Sequence, residues 1–373
     1  MNLALNEAEK TLQHSAREFA QSKVKPLAGE IDKTGDFPFE LVKETAKAGY
    51  HGLPFPRSYS GGGAGYLGWV LVLEELARAS MAVASIIAIN TTPQEAVFRL
   101  GSEEQRQRML EPMVSGREMS CLAFTEAGTG SDPSAILSLS QKRGNSYIIN
   151  GHKQFVSVAR AARRALVFAR SEGTGLNAFL VSTSLRGYRV GRSFETMGAR
   201  GLDVREVYLE NIAVPQEDRL GEEGRGYDIL LDAISLERIG VAMQAVGVAQ
   251  AALDFSLEYV RERKAKSRAI ATLPTVQWHL AEMVTRIEAG RWLARQAACE
   301  RDRGLDIRYS SAVAKLFASQ MAVDVTRMGM QVSGSYGTLV GSDIERYYRD
   351  AKMTEIYVGV SEIQRVIIAN HLV

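Results

Sequence analysis

The sequence predicts a mostly α protein with a central β domain: an N-terminal helical domain, a small β-barrel-like domain and a C-terminal antiparallel four-helix bundle. Three observations predict it. Apolar residues recur at helical spacing through the first third of the chain. Short apolar runs separated by Gly and Asn turns fill the middle, and long uninterrupted helical periodicity returns after Gly226. The corresponding units are 1–118, 119–223 and 224–373 of the 373 residues, which suits roughly 100 to 200 residues per domain.

In the first unit, Asn6 with Glu9 is the pattern of a capping box, opening a helix that continues through Leu12 and Phe19 and is expected to end at Pro26. A second helix over 39–48 reaches Gly49, and the run from Pro54 through Pro56, Ser60 and Gly61-Gly62-Gly63 reads as a surface loop. Helical patterns resume near Trp69 and run through Glu74-Glu75-Leu76 and Ser102-Glu103-Glu104-Gln105 to about Ser115. In the middle unit, Tyr147-Ile148-Ile149, Ala165-Leu166-Val167-Phe168, Ala178-Phe179-Leu180-Val181 and Val207-Tyr208-Leu209 predict strands, and Asn150-Gly151 predicts a tight hairpin. The last unit reads as helices over 227–264, 275–303 and 309–332, long enough for a bundle.

Composition narrows the function classes. Lys+Arg number 45 against 43 Asp+Glu, a formal charge of +2, too even for a polybasic nucleic-acid binder. Cys121 and Cys299 alone cannot staple a secreted scaffold, which fits a reducing compartment and a cytoplasmic location. The five histidines show neither HxxxH nor HxH spacing, so no metal is predicted. The N-terminus has no basic start followed by an apolar core and reads as a helix rather than a signal peptide. The longest apolar stretch, 81–89, is too short to cross a bilayer, so no membrane is predicted.

Four segments carry residues suited to chemistry. In Phe124-Thr125-Glu126-Ala127-Gly128-Thr129-Gly130-Ser131, the glycines permit close backbone approach while Thr125 and Ser131 offer short hydroxyls and amides to a planar polar ring or a phosphate; a plain strand-to-loop turn has the same look. In the strand after Asn150-Gly151, Phe155 and Ser157 project to one side, an aromatic beside a hydroxyl, or else a core Phe next to a solvated Ser. On the long helix, Ile234, Val241, Ala245, Val248 and Ala252 form an apolar stripe into which Glu237 and Arg238 fall. Burying that pair costs several kcal/mol unless the groups are paired or useful, whereas turned to solvent it would be an ordinary surface ion pair. The fourth segment comprises Gln331-Val332-Ser333-Gly334-Ser335 and Ile356-Tyr357-Val358-Gly359-Val360-Ser361-Glu362, where glycine loops hold a ligand edge or simply turn the chain.

In this order and layout, the four segments resemble the acyl-CoA dehydrogenase family over essentially the whole chain, together with Pro56 to Gly62, Met197-Gly198-Ala199-Arg200 and Val214-Pro215. The resemblance implies FAD and oxidation of the α,β bond of an acyl thioester. By motif position, Leu122, Thr125, Gly130 and Ser131 match the strand and loop that contact the flavin. Phe155, where Trp is usual, and Ser157 match the groups beside the isoalloxazine. Arg263 matches an arginine reaching the FAD phosphates of a neighbouring subunit. Gln331, Gly334 and Ser335 match the loop near its adenosine half, and Glu362 the position after the C-terminal Gly-x-Ser. The substrate side falls to Ser131, Arg238, Val358 and Gly359, with Val360 beside the flavin in place of Thr.

The departures from the family pattern are informative. Val358 stands where most members place the catalytic glutamate, and valine cannot take a proton. A subset puts the base on the long helix directly before an arginine, which Glu237 before Arg238 matches. Lys266, Ser267 and Pro274 replace the usual Phe-Gly and Gln after Arg263, which implies that the adenosine end is held differently, and Phe124 and Thr129 make the first signature irregular. The implied mechanism has Glu237 take the α proton, the amide of Val358 and a ribityl hydroxyl bind the developing oxyanion, and the β hydride pass to flavin N5. Implied partners are an acyl-CoA or an acyl-carrier-protein thioester, an electron-transfer flavoprotein as acceptor, and a second copy in a homodimer or homotetramer. Dehydrogenation of a carrier-bound aminoacyl group, and a flavin oxidase or inert thioester binder, stay open.

Overall fold

The structure is a computed structural model and describes residues 4–373. Helix α1 (Glu7–Phe19) opens on the capping box: Asn6 Oδ1 accepts from the Glu9 amide at 2.9 Å, and Glu9 Oε2 accepts from the Asn6 amide at 2.8 Å. Pro26 does not end this run. The chain passes through a π turn (Ala20–Val24) directly into α2 (Lys25–Thr34), where Pro26 occupies the first turn and its missing N–H costs nothing; Gly35, left-handed at φ 71°, makes the stop. Helices α3 (Phe39–Lys47), α4 (Gly65–Ala79) and α5 (Met81–Leu100) follow, then two short pieces, α6 (Glu103–Gln105) and α7 (Glu111–Val114). Helix α5 is buried all round through Val97, so it is a core helix, and no helix among the described residues is long and apolar enough to cross a membrane.

The middle of the chain forms an eight-stranded sheet. Its strands are β1 (Met119–Ala123), β2 (Leu139–Arg143), β3 (Ser146–Val156), β4 (Ala162–Ser171), β5 (Gly175–Ser182), β6 (Tyr188–Ser193), β7 (Arg205–Pro215) and β8 (Arg219–Leu220). The strand order is β6-β7-β3-β2-β4-β5-β8, with β1 parallel to β4. Asn150-Gly151 is not the hairpin. The two-residue turn lies at Gly144-Asn145, between Arg143 and its partner Ser146. Asn150 sits mid-strand opposite a bulge in β7, where Asn211 is left-handed at φ 51° and its amide donates to Asn150 Oδ1 at 2.8 Å. Alternation buries both faces of β4: Leu166 and Phe168 join a core with α5, α7 and the start of the long helix, while Ala165, Val167 and Ala169 face a second core with Tyr147, Ile149 and Val207.

Beyond Gly226 come α8 (Gly226–Glu262), a two-residue hairpin pair β9 (Lys264–Ala265) and β10 (Arg268–Ala269), α9 (Pro274–Asp302), α10 (Arg308–Ser333), α11 (Asp343–Ile356) and α12 (Ser361–Leu372). Helix α8 runs through the centre, packing on α4 and α5 as well as on α9, α10 and α11. Residues 233–249 are buried without a gap because both helical layers cover this stretch, and Glu237 and Arg238 are therefore interior rather than surface groups.

Candidate active site

A cavity of about 440 Å³ opens where the helical layers meet the sheet. Its walls come from α5, α8, the loop after β1, the end of β3 and the turn joining α11 to α12. Phe155, 57% exposed, marks the mouth, while Ser85 and Gln244, each 1% exposed, mark the inner end.

The structure brings ten of the sequence-selected residues to this cavity: Leu122, Thr125, Gly130, Ser131, Phe155, Ser157, Glu237, Val358, Gly359 and Val360. It does not bring the others. Arg238 is buried behind the wall, with one guanidinium nitrogen 3.4 Å from Ser235 Oγ and Nε without a partner among the described residues. Arg263 caps the far end of α8, about 39 Å from Glu237 at 1.5 Å per residue, with its guanidinium over the Tyr336 ring. Gln331 closes α10, and Gly334 and Ser335 start the turn that carries Tyr336, so these three residues lie at that far end too. Glu362, in the first turn of α12, is exposed beside Arg365.

Glu237 makes no side-chain hydrogen bond among the described residues and lines the cavity directly. Burial pushes its carboxyl up to about 7, with the Arg238 charge working the other way; the same burial pushes Arg238 down to about 10. A carboxyl near 7 in an apolar cleft has the affinity a general base needs at neutral pH. Across the cavity, Val358 is left-handed at φ 58°, an unusual conformation for a β-branched residue, and neither its amide nor that of Gly359 has an acceptor among the described residues. Gly359 has φ 86°, and a Cβ there would sit 2.8 Å from Gln364 Nε2, so the turn requires glycine.

At the mouth, Phe155 is left-handed at φ 53° and stacks on Phe194 at 4.4 Å between centroids, presenting a flat aromatic shelf. Below it, the loop after β1 is held from within. Lys153, fully buried, donates to Glu126 Oε1 at 2.7 Å and to the Phe168 carbonyl at 2.7 Å, and Glu126 also accepts from the Leu137 and Ser138 amides. Burial alone would raise the Glu126 carboxyl, but the Lys153 charge and these hydrogen bonds bring it below the ordinary range.

Several site residues escaped the sequence reading. Gln244 stands two turns along α8 from Glu237, and its Oε1 accepts from Ser85 Oγ at 2.7 Å and from the Tyr357 hydroxyl at 2.8 Å, forming a polar floor at the inner end. Gln244 interrupts the same apolar stripe that drew attention to Glu237, so a signal for it existed; Ser85 is one small residue inside an apolar run and gave none. Thr196 also reaches the cavity, on a loop whose Ala199 amide donates to Asp350 of α11 at 2.6 Å.

Comparison with known proteins agrees with this architecture. Family models for the N-terminal, middle and C-terminal domains of acyl-CoA dehydrogenase match residues 6–117, 121–212 and 224–373. The chain is 36% identical to a 3-(aryl)acrylate reductase of Clostridium sporogenes, covering 98% of each chain. It is 34% identical to a short-chain specific acyl-CoA dehydrogenase of Clostridium acetobutylicum over 100% of both. The solved structure of butyryl-CoA dehydrogenase from Megasphaera elsdenii superposes with a TM-score of 0.98 at 31% identity, again covering 100% of both chains. The chain belongs to the acyl-CoA dehydrogenase family, whose members are flavoprotein oxidoreductases acting on CH–CH bonds.

Proposed function

We propose that the cavity takes a short acyl thioester of coenzyme A and that Glu237 is the base for its α proton. The observation that carries this reading is a buried carboxyl without a partner, lining the same cavity as the unoccupied amide of Val358. A carbon α to a thioester is a weak acid. Its ionisation needs a base near neutrality on one side and a donor where the enolate charge develops on the other. Glu237 supplies the first and the Val358 amide the second, which is indifferent to the loss of a glutamate side chain at 358. Arg238 stays protonated and acts behind the wall on the carboxyl's charge rather than on the substrate. Because Glu237 titrates near 7, the protonated form is also available, and the same geometry serves the reverse reduction.

The residues at the mouth fit FAD. Phe155 backed by Phe194 offers a face for a planar ring, Thr125, Ser131 and Ser157 offer hydroxyls beside it, and open space lies beside Gly128 and Gly130. When bound there, FAD supplies the acceptor for the β hydride. Arg263 lies at the far end of α8, and Gln331, Gly334 and Ser335 lie beside it at the end of α10, too far to serve the same cofactor molecule, so we assign them to the cofactor of a second protomer in a dimer or tetramer. An electron-transfer flavoprotein fits as the acceptor of the two electrons, and the division at 118/119 and 223/224 as the domain boundaries.

The Ser85–Gln244–Tyr357 floor argues for a short acyl chain, since a longer alkyl tail would desolvate an amide and two hydroxyls without repairing their bonds. Anaerobic titration of the flavin-loaded protein with butyryl-, hexanoyl- and octanoyl-CoA tests both claims. Butyryl-CoA should bleach the flavin fastest. Gln244→Ala should raise kcat/KM for hexanoyl-CoA roughly tenfold, two methylenes at about 0.8 kcal/mol each. Absence of bleaching by any acyl thioester would overturn the reading.

A further inference from the structure

Lys315, on α10, is fully buried, yet among the described residues it touches no carboxylate. Its ammonium donates to the carbonyl of Glu355 at 3.1 Å and to that of Gly359 at 2.7 Å. The first belongs to the last turn of α11, where carbonyls lack intrahelical partners, and a cation there is favoured by the helix dipole. The second lies beyond the left-handed Val358, so a single ammonium clamps the turn on both sides of that residue. Gln364 Nε2 adds a second tether, at 2.8 Å to the Gly359 carbonyl and 3.4 Å to that of Val358. The turn's carbonyls are thereby taken up, while the amides of Val358 and Gly359 have no acceptor among the described residues on a turn that lines the cavity.

A surface lysine would cap a helix end as well. A buried one carries a desolvation burden of several kcal/mol, and here burial and the neighbouring Arg238 charge both push the ammonium down, to about 7. Lys315, which holds the turn, and Arg238 are thus two neighbouring buried basic groups. A left-handed valine is itself strained by roughly 1 to 3 kcal/mol and persists only where its surroundings over-determine it. Fixed dipoles aimed at a developing anion give the largest single contribution in many acyl-group enzymes, and a misplacement of about 1 Å can cost roughly 100-fold.

We infer that Lys315 is a positioning residue for the oxyanion-binding turn: its hold on the Glu355 and Gly359 carbonyls fixes Val358 so that its amide meets the oxygen of the bound thioester. The inference rests on the reading of the cavity as a thioester site, and its test separates the two. The probes are acetoacetyl-CoA, whose enolate carries negative oxygen and gives a long-wavelength charge-transfer band with oxidised flavin, and S-butyl-CoA, a thioether with no carbonyl. Binding of each to the flavin-loaded protein is measured by calorimetry, with the band recorded alongside. Lys315→Met should weaken acetoacetyl-CoA roughly 10- to 100-fold and diminish the band, while S-butyl-CoA stays within about twofold of the parent. If Lys315→Met does not fold, Gln364→Leu removes only the second tether and should show the same selective loss, roughly 3-fold. Equal affinity for acetoacetyl-CoA in parent and variant, or parallel loss of both ligands, overturns the role of Lys315. Failure of the parent itself to prefer acetoacetyl-CoA over the thioether overturns the thioester site instead.

Discussion

Glu237→Gln keeps the volume of the side chain and lowers kcat/KM with acyl-CoA by roughly 10²- to 10⁴-fold, the span of a well-placed general base. The parent should show an acid limb near pH 7, with kcat/KM falling about tenfold per pH unit below it, because the free enzyme must hold Glu237 ionised and burial has raised its carboxyl to about 7. The residual rate of the variant should lack that limb. Stability moves the other way. The unfolded carboxyl ionises at its ordinary value and the folded one at about 7, so between the two the folded state holds more protons. Stability of the parent therefore falls as pH rises through that window and stays lowered above it. Glutamine does not ionise, and above pH 7 the variant should be more stable than the parent by an amount of order 3 kcal/mol. Chemical denaturation at pH 5 and pH 8 measures it. A variant no more stable at pH 8 would refute the raised carboxyl, and flavin bleaching at the parental rate would remove Glu237 from the mechanism.

The second large effect is expected away from the carboxylate. Glu126→Ala strips Lys153, fully buried, of its only anionic partner among the described residues and leaves the Phe168 and Phe124 carbonyls as acceptors. Breaking a buried pair from one side costs about 3 to 5 kcal/mol. The double change Glu126→Ala with Lys153→Met should cost less than Glu126→Ala alone, since no orphan charge remains. Denaturant titrations of the three variants test this, and a single-variant loss under about 1 kcal/mol would be incompatible with it. The same carboxylate fixes the Leu137 and Ser138 amides, so the loop carrying Thr125, Gly130 and Ser131 should loosen and the flavin should wash out more readily on dilution.

How much of this could be read from the sequence depended on range. The helices over 227–264, 275–303 and 309–332 were legible because helical periodicity is a local property, and they agree with α8, α9 and α10 to within a residue or two. Glu237 was legible only in part: an acid in an apolar stripe is either buried or turned to solvent, and the packing of helices on both sides of α8 decides for the interior. Lys153 and Lys315 were not, because nothing local distinguishes a lysine that will be buried. Their partners lie 15 to 44 residues away in sequence and are mostly main-chain carbonyls, which have no sequence signature. Asn150-Gly151 was misread because a hairpin turn and a strand residue facing a bulge share the same local preference, and the choice was made by pairing with Asn211. Pro26 was misread because a proline that stops one helix is also suited to start the next.

The two-sided burial of β4 has a consequence for how the molecule comes apart. Leu166 and Phe168 complete one interior and Ala165, Val167 and Ala169 the other, so neither interior can be lost while the strand stays in place. Melting of the sheet removes the support beneath α5 and the start of α8, and with it the walls of the cavity. The core that joins α5, β4 and the start of α8 draws residues from all three family-defined regions, 6–117, 121–212 and 224–373, so it is shared among them rather than divided along their boundaries.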